Sequence, residues 1–406
     1  MEIFIGDVDK ENIISSNLNS EIMKVKNIDV FSPYIVVAGI ILYITLAIVA
    51  YQYHLRGLDF VSNETYFVVF FGTLFFIIGV LTPKILGKFN LLGSFNVHDN
   101  IKKDKIKNKL QGSKLNYLLN EKVLFSIVLI GIFLQILNIY LLGGIPLFSG
   151  YLKAKATTDI WRISYILFLP AINLLIAKYH NKWYFLLFLI GLALFASTGY
   201  RTTTMAILIS VFITVYYTRG LKFKHFLIFA VIASIILIIV GYIAAKSIEW
   251  QQWTLNPIQL VFYRAGFTLM VLDKIVHIAG AAKGAMLYNT FSAGHPRYIV
   301  GDLALGYHKM ITPTIFGPAM LDFGYIALAI QMFILGLVLK LMHIAHRTVN
   351  EAYTAIYAVI LAHTLIWIET GPTDSIVWLF YFLAIALLLI FVWSYRNIKS
   401  EKISNS

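Results

Sequence analysis

Long apolar runs, separated by short polar segments, make up most of the chain from residue 33 onward. A helix needs about 20 predominantly apolar residues to cross the hydrocarbon core of a bilayer, and about ten runs approach that length. We therefore predict an all-α, polytopic integral membrane protein with about ten transmembrane helices. The predicted spans are 33–52, 65–87, 123–142, 161–177, 184–199, 203–218, 226–245, 317–338, 353–369 and 376–394.

The polar segments indicate how the chain is divided and oriented. Residues 1–32 lack the basic start and short apolar stretch of a signal peptide, so we expect a polar cytoplasmic segment. Residues 33–395 would form a single transmembrane domain, followed by a cytoplasmic tail at 396–406. Segment 88–122 is rich in lysine, which predicts a cytoplasmic loop, and alternating the spans outward from it makes both termini cytoplasmic. Within it, 101–122 is either an interfacial helix or a disordered basic loop.

Residues 246–316 form a large external loop in this topology. The loop contains many aromatic residues and apolar positions at helical spacing, which predicts an ordered structure. Its part 257–280 is apolar enough to resemble a span, but it carries Arg264, Asp273 and Lys274, which would be costly in lipid. We predict that this part is an external or re-entrant helical segment packed on the bundle.

Composition narrows the possible function classes. The chain is 59% hydrophobic and only 13% charged, whereas soluble domains are about 25% charged. The net charge is +13, but most Lys and Arg residues lie in short loops, so orientation and anionic lipid explain them better than nucleic acid does. Cys is absent, and neither an HExxH motif nor a Gly-rich phosphate loop occurs. We therefore predict no metal, no cofactor and no nucleic-acid partner.

Four isolated arginines, Arg162, Arg201, Arg264 and Arg297, lie on the predicted outer side, where positive residues are disfavoured. The planar guanidinium fork matches phosphate oxygens, so these arginines could bind a pyrophosphate-linked lipid. Each could instead snorkel to the headgroups or pair with a carboxylate. Arg201 precedes Thr202 on a tight hairpin, an arrangement typical of an anion cradle at a helix start, although threonine is also a common N-cap.

A polar cluster in the long loop supplies candidates for a general base. We predict that Asp302 has a catalytic role and that His295 binds substrate. The sequence alone leaves the choice of base open among five carboxylates: Asp302, Asp322, Asp273, Glu249 and Glu369.

Three stretches of the chain resemble the oligosaccharide repeat-unit polymerases, the Wzy-like or O-antigen polymerase family. They are GGIPLFSG at 143–150, GYRTTT at 199–204 and TPTIFGPAMLDFGYIAL at 312–328. The order of elements is also similar, with about ten spans and a large external loop late in the chain. The chain is rich in Lys, Ile and Asn, a composition that suggests an AT-rich genome and an archaeal member of the family.

The resemblance implies a GT-C-like membrane glycosyltransferase that polymerises lipid-linked oligosaccharide repeat units into a cell-surface polysaccharide. Such an enzyme transfers a growing glycan from polyprenyl pyrophosphate at the outer face of the plasma membrane, usually without a metal. Arg201 and Arg264 would be its important outer arginines, with Arg297 a further candidate. Its partners would be a polyprenyl-pyrophosphate-linked oligosaccharide, membrane lipid, and a flippase or chain-length regulator. An O-antigen-type glycan ligase and a multi-span membrane transporter remain as alternatives.

Overall fold

A computed structural model of the protein describes residues 29–88, 120–179, 181–246, 254–292, 294–349 and 351–404. Regular secondary structure in these ranges is helical throughout, and they contain no strand. Glu249 and nearly all of the predicted segments 1–32 and 88–122 lie outside the described residues.

The described chain from residue 33 onward belongs to one compact unit built from helices. In chain order the helices are α1 (Ile35–Gln52), α2 (Asn63–Lys88), α3 (Glu121–Leu141), α4 (Gly150–Lys155), α5 (Asp159–Lys178), α6 (Trp183–Ala196), α7 (Arg201–Arg219), α8 (Phe223–Lys246), α9 (Pro257–His277), α10 (Ala285–Phe291), α11 (Pro296–Val300), α12 (Gly317–Thr348), α13 (Glu351–Thr370) and α14 (Ser375–Ser404). A single π-helical turn, Gly301–Leu305, follows α11.

Eight of the described helices are long and apolar enough to cross a membrane, which confirms a polytopic all-α membrane protein. They are α1, α2, α3, α5, α8, α12, α13 and α14. The other two predicted spans coincide with α6, a shorter apolar helix, and with α7, which begins and ends with arginine. The count of ten spans therefore stays a prediction.

Helix α13 lies at the centre of the bundle. Of the span that it contributes, 89% is buried, and the helix packs against α1, α5, α7, α12 and α14. A helix surrounded on all sides by protein can carry polar groups, provided that they find partners inside the bundle. Its last turn holds Trp367 and Glu369, and Ile366 directly precedes that turn.

Helices α2 and α12 form the most extensive helix pair, and glycine permits their close approach. A Cβ atom on Gly79 would lie 2.2 Å from the carbonyl oxygen of Phe333, and one on Gly336 would lie 2.2 Å from the carbonyl oxygen of Phe76. Small residues at such positions let backbones touch, which is how helices associate in lipid without a hydrophobic driving force between them.

The long segment between α8 and α12 is largely helical in its described part, and it contains α9. This helix begins with Pro257 and a capping box, in which the Asn256 side chain accepts from the Gln259 amide at 2.8 Å and the Gln259 side chain accepts from the Asn256 amide at 3.1 Å. Helix α9 packs mainly on α1. The predicted helical segment 257–280 is therefore a helix packed on the bundle, while its position relative to the membrane stays a prediction.

Candidate functional site

Arg201 and Arg264 converge on a single carboxylate, that of Glu369. Arg201 is the first residue of α7, Arg264 lies in the second turn of α9, and Glu369 lies in the last turn of α13. Both guanidinium groups donate to Oε1 of Glu369: Arg264 through Nη2 at 2.9 Å and Nε at 3.3 Å, and Arg201 through Nη2. The side chain of Arg201 is 25% exposed, that of Arg264 is 34% exposed and that of Glu369 is 24% exposed.

The packing of five helices, α1, α7, α8, α9 and α13, determines this convergence. Helix α7 packs along α13, which brings the start of one helix beside the end of the other. Gly241 of α8 faces the Arg201 side chain, since a Cβ atom there would lie 3.7 Å from Cδ of the arginine. Tyr43 of α1 lies near enough to interact electrostatically with all three charged groups, and its hydroxyl is hydrogen-bonded to that of Thr268.

Lys153 adds a third cation beside the two arginines. It lies on the short helix α4, and Tyr200 fixes its position by donating a hydrogen bond from its hydroxyl to the Lys153 carbonyl at 2.9 Å. The aliphatic stem of the lysine runs past Gly199, where a Cβ atom would lie 3.4 Å from its Cδ. Burial, followed by the charges of Arg201 and Arg264, lowers the pKa of the Lys153 ammonium group to about 8.

Lys153, Arg201, Arg264 and Glu369 together form what we call the cation cluster. With Lys153 protonated, the cluster contains three cations and one carboxylate, so that positive charge is in excess in a partly buried place. Charges in such a place are screened less by water than charges on an open surface. The cluster is therefore suited to attract an anion, and its two guanidinium groups suit phosphate oxygens in particular.

A cavity of about 720 Å³ lies next to the cation cluster. Tyr200 and Thr202, which flank Arg201, and Thr370, which follows Glu369, all line it. The start of α7 and the end of α13 therefore contribute residues to both the cavity and the cation cluster. None of the three charged residues Arg201, Arg264 and Glu369 is among the described residues that line the cavity.

Two arginine–carboxylate pairs lie in the cavity wall. Nη1 of Arg162 lies 3.1 Å from Oδ1 of Asp159, one helical turn earlier on α5. Nη2 of Arg297 donates to Oδ2 of Asp374 at 3.1 Å, and its Nε donates to the Thr373 hydroxyl at 2.9 Å. Both cavity arginines therefore have a carboxylate partner of their own.

Aromatic side chains form much of the remaining wall. Trp161 stacks on Tyr165 with ring centroids 5.6 Å apart and planes tilted by 11°, and its ring also lies against Tyr200. The Tyr165 hydroxyl lies 3.0 Å from Nε2 of His363, deep in the bundle. Tyr298 stacks on His308 at 4.3 Å. These rings add apolar faces to a wall that also carries many polar groups.

The structure groups most of the sequence-predicted site residues. The four predicted substrate-binding residues, Arg162, Thr202, His295 and Arg297, all line the cavity. Asp302 lies apart from them in the π-helical turn, where its two carboxylate oxygens are 3.0 and 3.1 Å from Nδ1 of His308. No contact tests the roles assigned to these residues, and they stay predictions.

Two of the other carboxylates considered as a base have structural partners. Asp322 accepts from the backbone amides of Met286 and Leu287 at 2.9 and 2.8 Å and so fixes the start of α10. Asp273 accepts from the Ser62 amide and hydroxyl, at 2.9 and 2.6 Å, and from the Thr65 hydroxyl at 2.7 Å. These contacts connect helices, which gives both carboxylates a structural role.

Sequence reasoning missed Lys153 and Asp374. Lys153 lies three residues after the GGIPLFSG stretch and on the same predicted outer side as the arginines, which was a usable signal. Asp374 lies in the short turn between α13 and α14, five residues after Glu369, and had no distinctive pattern around it. Within the described ranges no three His, Asp or Glu residues lie together as metal ligands would; the expectation of a metal-free site stays a prediction.

Comparison with known proteins finds two relatives in Methanocaldococcus jannaschii. The protein named "Uncharacterized protein MJ0420" is 30% identical over 270 residues, which is 66% of this chain and 63% of that protein. "Uncharacterized protein MJ0419" is 29% identical over 197 residues, 47% of this chain and 54% of the relative. The chain thus matches less than two thirds of the length of either relative. No solved structure matches it.

The family comparison covers nearly the whole bundle. The sequence model of the family described as "Putative O-antigen polymerase" matches residues 29–381. This stretch includes the entire cation cluster and all the described residues that line the cavity. This extent agrees with the three stretches through which the sequence resembles that family. The chain is a multi-pass membrane protein that belongs to the O-antigen polymerase family.

Proposed function

We propose that this protein is a glycosyltransferase that polymerises lipid-linked oligosaccharide repeat units into a cell-surface polysaccharide. It would take the growing glycan from a polyprenyl-pyrophosphate carrier and join it to a second lipid-linked repeat. The observation that carries this proposal is the convergence of Arg201 and Arg264 on Glu369 in a chain of this family.

The chemistry of the leaving group explains why such a site needs fixed cations. When the bond between the sugar and its carrier breaks, negative charge develops on the pyrophosphate. Cations held in place before the reaction stabilise that charge without a further cost of reorganisation. Arg201 and Arg264 would bind the pyrophosphate, and Glu369 would hold the two like-charged groups together while the site is empty.

The remaining predicted residues extend this site. Arg162, Thr202, His295 and Arg297 would bind the substrate from the cavity wall. Asp302, paired with His308, is a candidate for the base that deprotonates the acceptor hydroxyl. The site would need neither a metal nor a nucleotide, since the energy of transfer resides in the bond between glycan and carrier.

The proposed location is the outer face of the plasma membrane. Both termini would then be cytoplasmic, in agreement with the excess of basic residues in the loops on that side. A flippase would deliver the lipid-linked repeat to this face, and a chain-length regulator would act in the same process.

Deletion of the gene, followed by mass-resolved analysis of glycans and lipid-linked intermediates, tests the proposal. A polymerase predicts that single repeat units accumulate on the carrier and that long chains disappear. Long chains that are built on the carrier but never transferred would instead indicate a glycan ligase. An unchanged glycan profile would contradict any role in glycan assembly and would favour the transporter alternative.

A further inference from the structure

The cavity and the cation cluster are neighbours that differ in charge. In the cavity wall, Asp159 accompanies Arg162 and Asp374 accompanies Arg297, with Lys155 as one further cation. In the cluster, two arginines share one carboxylate and Lys153 adds a third positive charge. A phosphate group entering the cavity would meet a carboxylate beside each arginine, so the cavity suits an uncharged ligand better than an anion.

The surface of the cavity indicates the class of that ligand. A sugar ring has an apolar face made of C–H groups and an edge of hydroxyl groups. The rings of Trp161, Tyr200 and Tyr298 offer apolar faces on which the C–H face of a sugar can stack. The two arginine–carboxylate pairs offer hydrogen-bond donors and acceptors to the sugar hydroxyl groups. A volume of about 720 Å³ lies within the range of about 300–1,000 Å³ that is usual for ligand pockets.

We infer that the cavity is the binding site for the acceptor sugar and that Asp374 is the base that takes the proton from its attacking hydroxyl. This inference rests on the proposed polymerase function and separates the substrate into two parts. The cation cluster holds the pyrophosphate of the donor, and the cavity holds the neutral end of the acceptor glycan.

Asp374 satisfies the geometric condition for a base better than Asp302 and Asp322 do, and it lies closer along the chain to Glu369 than Asp159, the other carboxylate in the cavity wall, does. It lines the cavity, its side chain is 60% exposed, and among the described residues only Arg297 donates to it, at Oδ2. Oδ1 is therefore available to a ligand. Both oxygens of Asp322 accept backbone amides, and Asp302 is not among the described residues that line the cavity.

The connection between α13 and α14 joins the two sites. Glu369, which holds the arginines of the cluster, lies in the last turn of α13. Asp374, which faces the cavity, lies five residues later, in the connection itself. Arg297 acts as a positioning residue, because its hydrogen bonds to Thr373 and Asp374 fix the turn from the side of α11. The reacting bond would lie where the two sites meet, near the start of α7.

The transfer step forms one bond, breaks one bond and moves one proton, and the groups of the two sites accommodate each change. The oxygen of the acceptor hydroxyl forms a bond to the anomeric carbon of the donor glycan. The bond from that carbon to the carrier's pyrophosphate oxygen breaks, and its electron pair leaves with the pyrophosphate, beside Arg201 and Arg264. The hydroxyl proton passes to Oδ1 of Asp374.

Binding to the purified full-length protein in lipid nanodiscs tests the division into two sites. One probe is the phosphate-free repeat glycan, released by mild acid from the lipid extract of the deletion strain, and the other is a short dialkyl pyrophosphate. We expect Trp161→Ala to weaken glycan binding about tenfold and to leave pyrophosphate binding nearly unchanged, and Arg201→Ala to do the reverse. Tyr298→Ala serves as a second cavity variant if the loss of Trp161 prevents folding. Equal effects of the cavity and cluster variants on both probes would overturn the inference.

Complementation of the deletion strain tests the base. Asp374→Asn should leave glycan binding intact and reduce polymer formation by about a hundredfold or more, so that single repeats accumulate on the carrier. Asp59→Asn, an exposed carboxylate 84% accessible and paired with His54, is the matched control and should restore long chains. Long chains from Asp374→Asn, or their loss from Asp302→Asn alone, would refute the assignment of the base.

The two possible failures can be told apart. If the deletion strain accumulates lipid-linked single repeats while Asp374→Asn remains active, only the inference about the acceptor site fails. If the deletion strain accumulates no such repeats, the proposed polymerase function fails and the inference falls with it.

Discussion

The cation cluster and the cavity both include residues from the start of α7 and the end of α13, but they differ in the number of carboxylates that accompany each arginine. Around Glu369 one carboxylate serves two arginines, and Lys153 adds a third cation beside them. In the cavity Asp159 and Asp374 each serve one arginine. The difference shows that an arginine by itself does not define an anion site, since its effect depends on how many carboxylates accompany it. Each of the following predictions tests one side of this contrast.

The largest expected effect comes from the two arginines of the cluster. Arg201→Ala and Arg264→Ala should each abolish long-chain polymer, because the loss of one preorganised donor to a developing anion costs about a hundredfold to a thousandfold in rate. Arg→Lys at either position should also impair the reaction strongly, because a single ammonium group does not reproduce the fork. Polymer length in the complemented deletion strain and the amount of protein in its membranes are the measurements.

A control for these variants lies on the same helix. Arg219 is the last residue of α7, and its guanidinium packs over the ring of Phe185 at the opposite end of the helix from Arg201. Arg219→Ala should leave polymer length unchanged. Full-length polymer from both Arg201→Ala and Arg264→Ala, at normal protein levels, would show that the cluster is not the catalytic site.

An intermediate effect is expected from the carboxylate that holds the arginines. Glu369→Gln removes the negative charge between two guanidinium groups, and because the site is about a quarter exposed, we expect a loss of stability of about 2 kcal/mol. An added dialkyl pyrophosphate should replace the missing charge, so it should stabilise the variant more than the wild type. Thermal unfolding in detergent, with and without the probe, measures both quantities.

Glu64→Gln is a suitable control for this change, because Glu64 is an exposed carboxylate in the first turn of α2. The dialkyl pyrophosphate should raise the unfolding temperature of Glu64→Gln by no more than it raises that of the wild type. If the probe stabilises Glu369→Gln less than the wild type, the anion does not replace the missing charge, and the carboxylate is needed to position the two guanidinium groups for anion binding.

The sequence predicted the kinds of residue in the site better than it predicted their partners. The apolar runs indicated the helices because burial in lipid imposes a simple pattern of length and composition. The arginines were identifiable because positive residues are rare on the predicted outer side. Glu369 was only one of five possible carboxylates, since nothing in a linear sequence shows that the end of α13 lies beside the start of α7.

The cavity was even less predictable. Its wall combines α5, α7, α11 and the turn after α13, elements far apart along the chain. Arg297 and Asp374 are 77 residues apart and pair only because the segment after α9 folds back over this turn. Partners of this kind depend on tertiary packing, whereas the predicted substrate-binding residues could be named from residue type and position alone.

The smallest expected effect concerns Lys153, and it depends on pH. Burial and the charges of Arg201 and Arg264 lower the pKa of Lys153 to about 8, so the side chain is charged below about pH 8 and loses its charge as the pH rises through that value. A dialkyl pyrophosphate keeps the same charge across this range. Its affinity for the wild-type protein should therefore fall several-fold from about pH 7 to about pH 9, as the cluster changes from three cations to two.

Lys153→Ala separates this effect from other changes with pH. The variant should bind the probe more weakly than the wild type near pH 7, should equal it near pH 9, and should show little dependence on pH between these values. Lys222→Ala, in the exposed turn between α7 and α8, should keep the wild-type dependence. A fall in affinity that persists in Lys153→Ala would assign the titration to another group and would leave the cluster with two functional cations, because the lysine would then contribute nothing to the attraction of the anion.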